Sequence, residues 1–159
     1  MGCPPAGIEG PKPLSSARLG GRQAAGRSWS VRGRSFTLLP ERFCIQRLPA
    51  DAQLDLGRFR EASWYSITRT QAEVSVVAPD DVDVGAAERE PGWSCLQVEG
   101  PLDLGMLGVL AGISRVLADA GVSLFSVSTF ATDYVLLRSI DLERALLALR
   151  AAGALVKEG

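Results

Sequence analysis

The chain has 159 residues, a net charge of −1 and no histidine, so it fits one compact domain or two very small ones sharing a core, without the commonest general base and metal ligand. Cys3, Cys44 and Cys95 are odd in number and form no CxxC pair, which points away from a redox or metal role; Cys44 and Cys95 lie in strand-like segments and read as small core hydrophobes. No apolar run reaches the roughly 18 residues of a membrane span, and residues 1–35 lack the continuous apolar core of an export signal, so the expected compartment is the cytoplasm, with no membrane partner.

Residues 1–35 are rich in Gly, Pro, Ser, Ala and Arg and carry six basic residues against Glu9 alone, a net charge of +5. Residues 36–159 carry 11 basic and 17 acidic residues, a net charge of −6. The first segment has too little apolar surface to offset the entropy of ordering and is expected to be a disordered basic tail. Its one aromatic residue, Trp29, and its lack of helical periodicity argue against a nucleic-acid arm.

From residue 36 the pattern changes. Phe36–Leu39 and Phe43–Leu48 are short strand-like runs split by Pro40, followed by a linker, Asp51–Arg60, with one helical turn. Trp64–Arg69 and Val74–Ala78 flank Thr70-Gln71-Ala72 and read as a hairpin. Pro79–Pro91 is acidic and reads as a loop or weak helix.

The second half is clearer. Trp93–Glu99 is a strand ended by Gly100-Pro101. Met106, Val109, Leu110, Ile113, Val116, Leu117 and Ala120 recur at helical spacing, which predicts a helix over 106–120 with Gly121 as its stop. Val122–Thr129 and Tyr134–Arg138 are two more strands. Asp141 is expected to cap a second helix, with Leu142, Ala145, Leu146 and Leu149 inward and Gly153 beyond its end. Ala154–Val156 is a candidate last strand. Laid over each other at an offset of 60, residues 66–77 and 126–137 agree in residue class, with Glu73 over Asp133. A duplicated unit with helices on one face of a sheet is an α+β sandwich.

Two features of the second half exceed simple packing. Gly105, Gly108 and Gly112 lie three and four residues apart along the first helix, where each interior glycine costs about 1 kcal/mol against alanine. Such a face suits either a close helix contact in a dimer or a ligand at the free N–H groups of the helix start. The turn Ser128–Asp133 collects hydroxyls and one carboxylate, either as solvated turn formers or as a receptor for a cationic group. Together the two features suit a zwitterion, its carboxylate at the helix start and its cationic group at Asp133.

Gly92–Asp103, Gly108–Ala111, Leu117–Ser123 and Ser128–Tyr134, with Leu38-Leu39-Pro40 and Ser66–Thr70 in the first half, resemble the small bacterial ACT-domain proteins. Those are similar in turn to the CASTOR family of cytosolic arginine sensors. The resemblance implies two tandem ferredoxin-like βαββαβ modules, 36–91 and 92–159, with antiparallel sheets, helices on one face and amino-acid binding at an interface between modules. By position it places ligand contacts at Gly108, Gly112, Ile113, Thr129, Phe130 and Asp133. Gly112, Val116 and Ala131 depart from residues common in those relatives, so the arginine preference does not carry over. The function expected is a non-enzymatic sensor of a free amino acid, with no cofactor or metal, a homodimer, and a further protein partner to receive the signal. The alternative is a ligand-free oligomerisation module that regulates a partner.

Overall fold

The computed structural model describes residues 30–102 and 106–159. Most of the basic tail, with Cys3 and Trp29, and the first glycine of the helix face, Gly105, lie outside the described residues.

In chain order the elements are β1 (Ser35–Pro49), a 3₁₀ turn (Leu56–Phe59), β2 (Ser66–Arg69), β3 (Glu73–Pro79), β4 (Glu88–Val98), α1 (Val109–Asp119), β5 (Leu124–Ser128), β6 (Asp133–Arg138), a second 3₁₀ turn (Ser139–Asp141), α2 (Leu142–Ala151) and β7 (Leu155–Glu158). They build one continuous sheet in the order β2-β3-β1-β4-β6-β5, with β7 parallel to the start of β1. From β4 onward the order is βαββαβ. The first half has the same strand order, but a four-residue 3₁₀ turn replaces the first helix and residues 80–87 form a loop in place of the second. Two separate antiparallel sheets were expected; a single sheet forms because β1 and β4 are long enough to belong to both halves.

β1 is one strand where the sequence suggests two. Its ladder with β4 shifts register between Leu38 and Arg42, so Pro40, which cannot donate to a ladder, sits at an irregularity that tolerates it. The fold begins before β1: Val31 is buried, Gly33 N–H donates to Gly153 O at 2.8 Å, and Ser35 pairs with Leu155. Residues 31–35 therefore belong to the fold and not to the tail, because one valine and a few backbone bonds fix them despite the basic composition.

One face of the sheet carries Phe36, Leu96, Val98, Val135 and Leu137 under Ile113 and Leu117 of α1 and Ala145 and Leu149 of α2. On the same side of the first half, Leu48, Val74, Val76 and Ala78 pack under Phe59 and the flanking loops. Both helices end alike, with Val122 N–H on Leu117 O and Ala154 N–H on Leu149 O, the pattern that Gly121 and Gly153 predict. Asp141 stands at the N-cap of α2, but its carboxylate takes Arg144 and caps no backbone N–H.

The opposite face carries Phe43, Val77, Trp93, Cys95 and Leu136, all buried. Trp64, just before β2, stacks on Tyr134 of β6 with ring centroids 4.5 Å apart. In a flat sheet these strands would be four steps of about 4.8 Å, roughly 19 Å, apart. The segment before β2 thus folds over this face, where Trp64 also meets Phe43 of β1, and it helps cover residues that have no helix above them.

The two halves share a register. Ile45 pairs with Val77 and Arg47 with Ser75; Cys95 pairs with Leu136 and Gln97 with Tyr134. Moving 50 residues along β1 and 59 along the hairpin superposes one set on the other. The sequence offset of 60 is therefore one residue long: Thr70 corresponds to Thr129, Glu73 to Thr132, and Val74 to Asp133. A one-residue slip moves each side chain to the other face of the sheet, so Glu73 and Asp133 are not equivalent acids.

Candidate ligand-binding cleft

Two backbone segments meet at one end of the sheet, the turn between β5 and β6 and the start of α1. The turn is four residues, Thr129–Thr132, closed by the Ser128–Asp133 pair. Thr129 N–H donates to Thr132 O at 2.8 Å, and Thr132 N–H donates to Thr129 Oγ1 at 3.2 Å. This local bonding is what hydroxyl residues offer a turn. Thr70 and Glu73 make the same two bonds in the β2–β3 turn.

The turn is pinned to the end of β4. The buried Thr132 hydroxyl donates to Val98 O, and Leu102 N–H donates to Ala131 O at 2.8 Å. A Cβ on Gly100 would lie 2.8 Å from Ala131 O, so the approach requires glycine here.

α1 begins at Val109, three residues later than its apolar spacing suggests. Gly108 takes a left-handed φ of 78° as its N-cap and offers no side-chain cap, which leaves Met106 outside the helix. The first helical bond is Gly112 N–H to Gly108 O at 3.0 Å. The N–H groups of Val109, Leu110 and Ala111 precede it, and none has an intrahelical carbonyl to bond.

Between helix start and turn lies an open cleft of about 430 Å³. Gly108, Thr129, Phe130 and Asp133 all line it, together with Leu102, Met106, Val109–Ala111, Ser128 and Thr132. Gly112 and Ile113 do not. Gly112 is buried with its N–H bonded, and the Ile113 side chain is in the core. Ser128, which sequence reasoning left out of the site, donates its hydroxyl to Asp133 Oδ1 at 2.6 Å. The signal for it was available, since the closing pair of a four-residue turn faces the same side. Phe130 is 83% exposed at the rim. The cleft thus combines helix-start N–H donors that have no partner among the described residues, one carboxylate with an oriented hydroxyl, and apolar walls. It can receive a small anion-and-cation pair at opposite ends.

A second cavity, about 340 Å³, is lined by Glu41, Glu61, Asp81 and Asp83 with Arg58. Among the described residues no group of His, Cys, Asp and Glu is arranged to hold a metal ion. No helix among them is long and apolar enough to cross a membrane.

The ACT-domain family profile matches residues 88–151, which span β4 to α2 and contain the whole cleft. No curated protein matches the chain. Among solved structures, protein Atu0741 from Agobacterium tumefaciens is 31% identical, with a TM-score of 0.72, over 79% of this chain and 93% of that one. The Vibrio cholerae protein VC0802, described as of unknown function and a possible transport protein, is 15% identical with a TM-score of 0.60, over 79% of this chain and 94% of that one. The regulatory subunit of aspartate kinase from Thermus flavus is 13% identical with a TM-score of 0.54, over 77% and 98%. The last two likenesses concern the fold alone. With a family match from β4 to α2 and a relative of this identity along nearly its whole length, the chain belongs to the ACT-domain family.

Proposed function

We propose that this protein is a regulatory binding module that senses a free amino acid in the cleft between the α1 start and the β5–β6 turn. The observation that carries the reading is the placement of Asp133 and the helix-start N–H groups of Val109–Ala111 on one cleft. A ligand carboxylate suits the helix start, where N–H groups and the helix dipole favour negative charge. An ammonium or cationic side chain suits Asp133, whose second oxygen is left over from the Ser128 bond. The Thermus flavus neighbour is described as a regulatory subunit, and the same class of role is our reading here. The ligand's identity stays open among the amino acids, and the likeness to the CASTOR sensors supports the class without its arginine preference.

The common register of the two halves supports reading residues 31–91 as a second, reduced ACT unit that lost its helices. Regulation implies a partner protein that reads the liganded state, in the cytoplasm. A second reading, a ligand-free oligomerisation module, is favoured by the exposure of Phe130 and of Leu107 beside the cleft. A thermal-shift screen of the twenty amino acids on the purified protein decides between them. Saturation at about 100 times the dissociation constant adds roughly 2.7 kcal/mol, so a true ligand raises the melting temperature visibly. No shift with any amino acid would favour the oligomerisation module.

A further inference from the structure

Arg34 stands just before β1, at the end of the sheet that carries the cleft. Phe36 pairs with Val98, and the cleft turn is pinned to the Val98 carbonyl. The Arg34 backbone is held on both sides: its N–H donates to Val31 O at 3.0 Å, and its carbonyl accepts from Leu155 N–H at 2.8 Å. The root of a long cationic side chain is thereby fixed close to the segment that leads into α1. The guanidinium reaches that segment, with Nη2 3.2 Å from Sδ of Met106. Met106 lines the cleft, so a cation stands behind one of its walls.

That contact leaves the guanidinium poorly matched. A thioether is a weak acceptor, whereas a guanidinium presents a fork of donors shaped for carboxylates. Elsewhere in the chain Arg47, Arg89, Arg138 and Arg144 meet carboxylates, and Arg58 and Arg69 meet backbone carbonyls. Arg34 is in none of the ion pairs among the described residues. It is also partly buried, so it has given up water for a sulfur that returns little. Met106 is unbranched and exposed, and it can turn aside at small cost.

The charges around the cleft point the same way. An α-amino acid with a neutral side chain meets Asp133 through its ammonium and the α1 start through its carboxylate, and it leaves Arg34 behind Met106. The turn hydroxyls are committed, Ser128 to Asp133, Thr129 to Thr132 O and Thr132 to Val98 O. We infer that Arg34 receives a second carboxylate of the ligand in place of the Met106 thioether, so that the cleft selects a dicarboxylic amino acid over its neutral counterparts. The inference rests on the proposed reading of the cleft as an amino-acid site and adds the residue that sets its specificity. A charge-assisted, two-pronged bond then replaces a weak one.

Titration calorimetry on the full chain at neutral pH tests this with matched pairs, aspartate against asparagine and glutamate against glutamine. Wild type is expected to bind the acid of at least one pair roughly tenfold or more tighter than its amide. In Arg34→Gln the acid is expected to fall to the affinity of the amide, while the amide keeps its own. A merely structural role for Arg34 would instead weaken acid and amide alike. Arg34→Lys keeps the charge without the fork and is expected to retain part of the preference.

Wild-type binding of neutral or cationic amino acids as tight as that of the acids would overturn the inference without any variant, and would leave the amino-acid reading of the cleft standing. A preference for the acid that survives Arg34→Gln would overturn it too, by placing the second carboxylate elsewhere. So would an equal loss of acid and amide in Arg34→Gln with the fold intact by circular dichroism. If none of the twenty amino acids binds the wild type, the reading beneath the inference falls and takes the inference with it.

Discussion

Asp133 decides whether the cleft binds a cationic group. Its carboxylate is half-buried and oriented by the Ser128 hydroxyl, so a ligand ammonium would make a charge-assisted bond of about 1.5–3 kcal/mol. Asp133→Ala is then expected to weaken the ligand found by thermal shift by roughly 10- to 100-fold, since about 1.4 kcal/mol is tenfold. Gly108→Val is expected to abolish binding, because a branched side chain enters the cleft and strains a φ of 78°. Isothermal titration of both variants is the measurement. Unchanged affinity in Asp133→Ala, with the fold intact by circular dichroism, would return the hairpin to a purely structural turn. Cys95 gives a prediction that needs no ligand. Burial, with Glu41 adding to it, pushes its thiol from an ordinary 9.0 up to about 12. The folded form holds the proton more tightly than the unfolded one, so this contribution to stability is complete below pH 9 and is lost as pH rises toward 12. Denaturation by urea is expected to need less denaturant across that window, and Cys95→Ala to flatten the decline. At neutral pH the thiol of the native protein is expected to resist a disulfide reagent until the fold opens.

At the scale of elements, the second half was legible because each piece carries its own local signal. α1 and α2 have apolar residues at helical spacing and glycine stops, and β4 to β6 alternate or run apolar between turn residues. The first half was harder to read for three physical reasons. Pro40 looks like a strand break but sits at a register shift. Glu88, Arg89 and Glu90 are charged and solvent-facing, so their membership in β4 comes from pairing with Arg47, Gln46 and Ile45 and not from composition. Val31 is one apolar residue in a basic stretch, and only the tertiary fold gives it a partner. The candidate site divides in the same way. Gly108, Thr129, Phe130 and Asp133 were readable as turn and helix-start residues. Gly112 and Ile113, carried over by position, face the core because they share the buried stripe of Val109 and Leu117 on α1. The contribution of residues 31–35 is measurable. A chain starting at Phe36 loses the buried Val31, worth about 1.5–3 kcal/mol, and the bonds to Gly153 and Leu155. Its melting temperature is expected to fall by roughly 5 °C or more. A melting temperature within a degree of the full chain would show that these residues do not contribute to the core.

At the scale of the molecule, the mouth of the cleft carries exposed apolar side chains. Phe130 at 83% exposure, Leu107 at 73% and Met106 at 42% stand around the mouth of the cleft. The strand that leads to it, β5, is the last strand of the sheet path, with Phe125 partly exposed. Open edge strands invite pairing unless they are covered. Apolar side chains on a turn tip cost solvation that a partner surface would recover, at about 25 cal/mol per Å² removed from water. The expectation of a homodimer follows, with two chains meeting at the cleft mouth so that each open cleft is completed by its partner. The same arrangement would make ligand and dimer mutually stabilising, since a ligand held by both chains favours the assembled state. Light scattering at tens of micromolar is expected to give a dimer mass for the wild type, and Phe130→Asp a monomer mass with the melting temperature of the isolated fold retained. Adding the ligand from the screen is expected to shift the wild-type equilibrium further toward dimer and to leave Phe130→Asp monomeric. A monomer mass for the wild type, with ligand and without, would mean that the exposed rim serves a different protein, and that the cleft of a single chain must bind its ligand unaided.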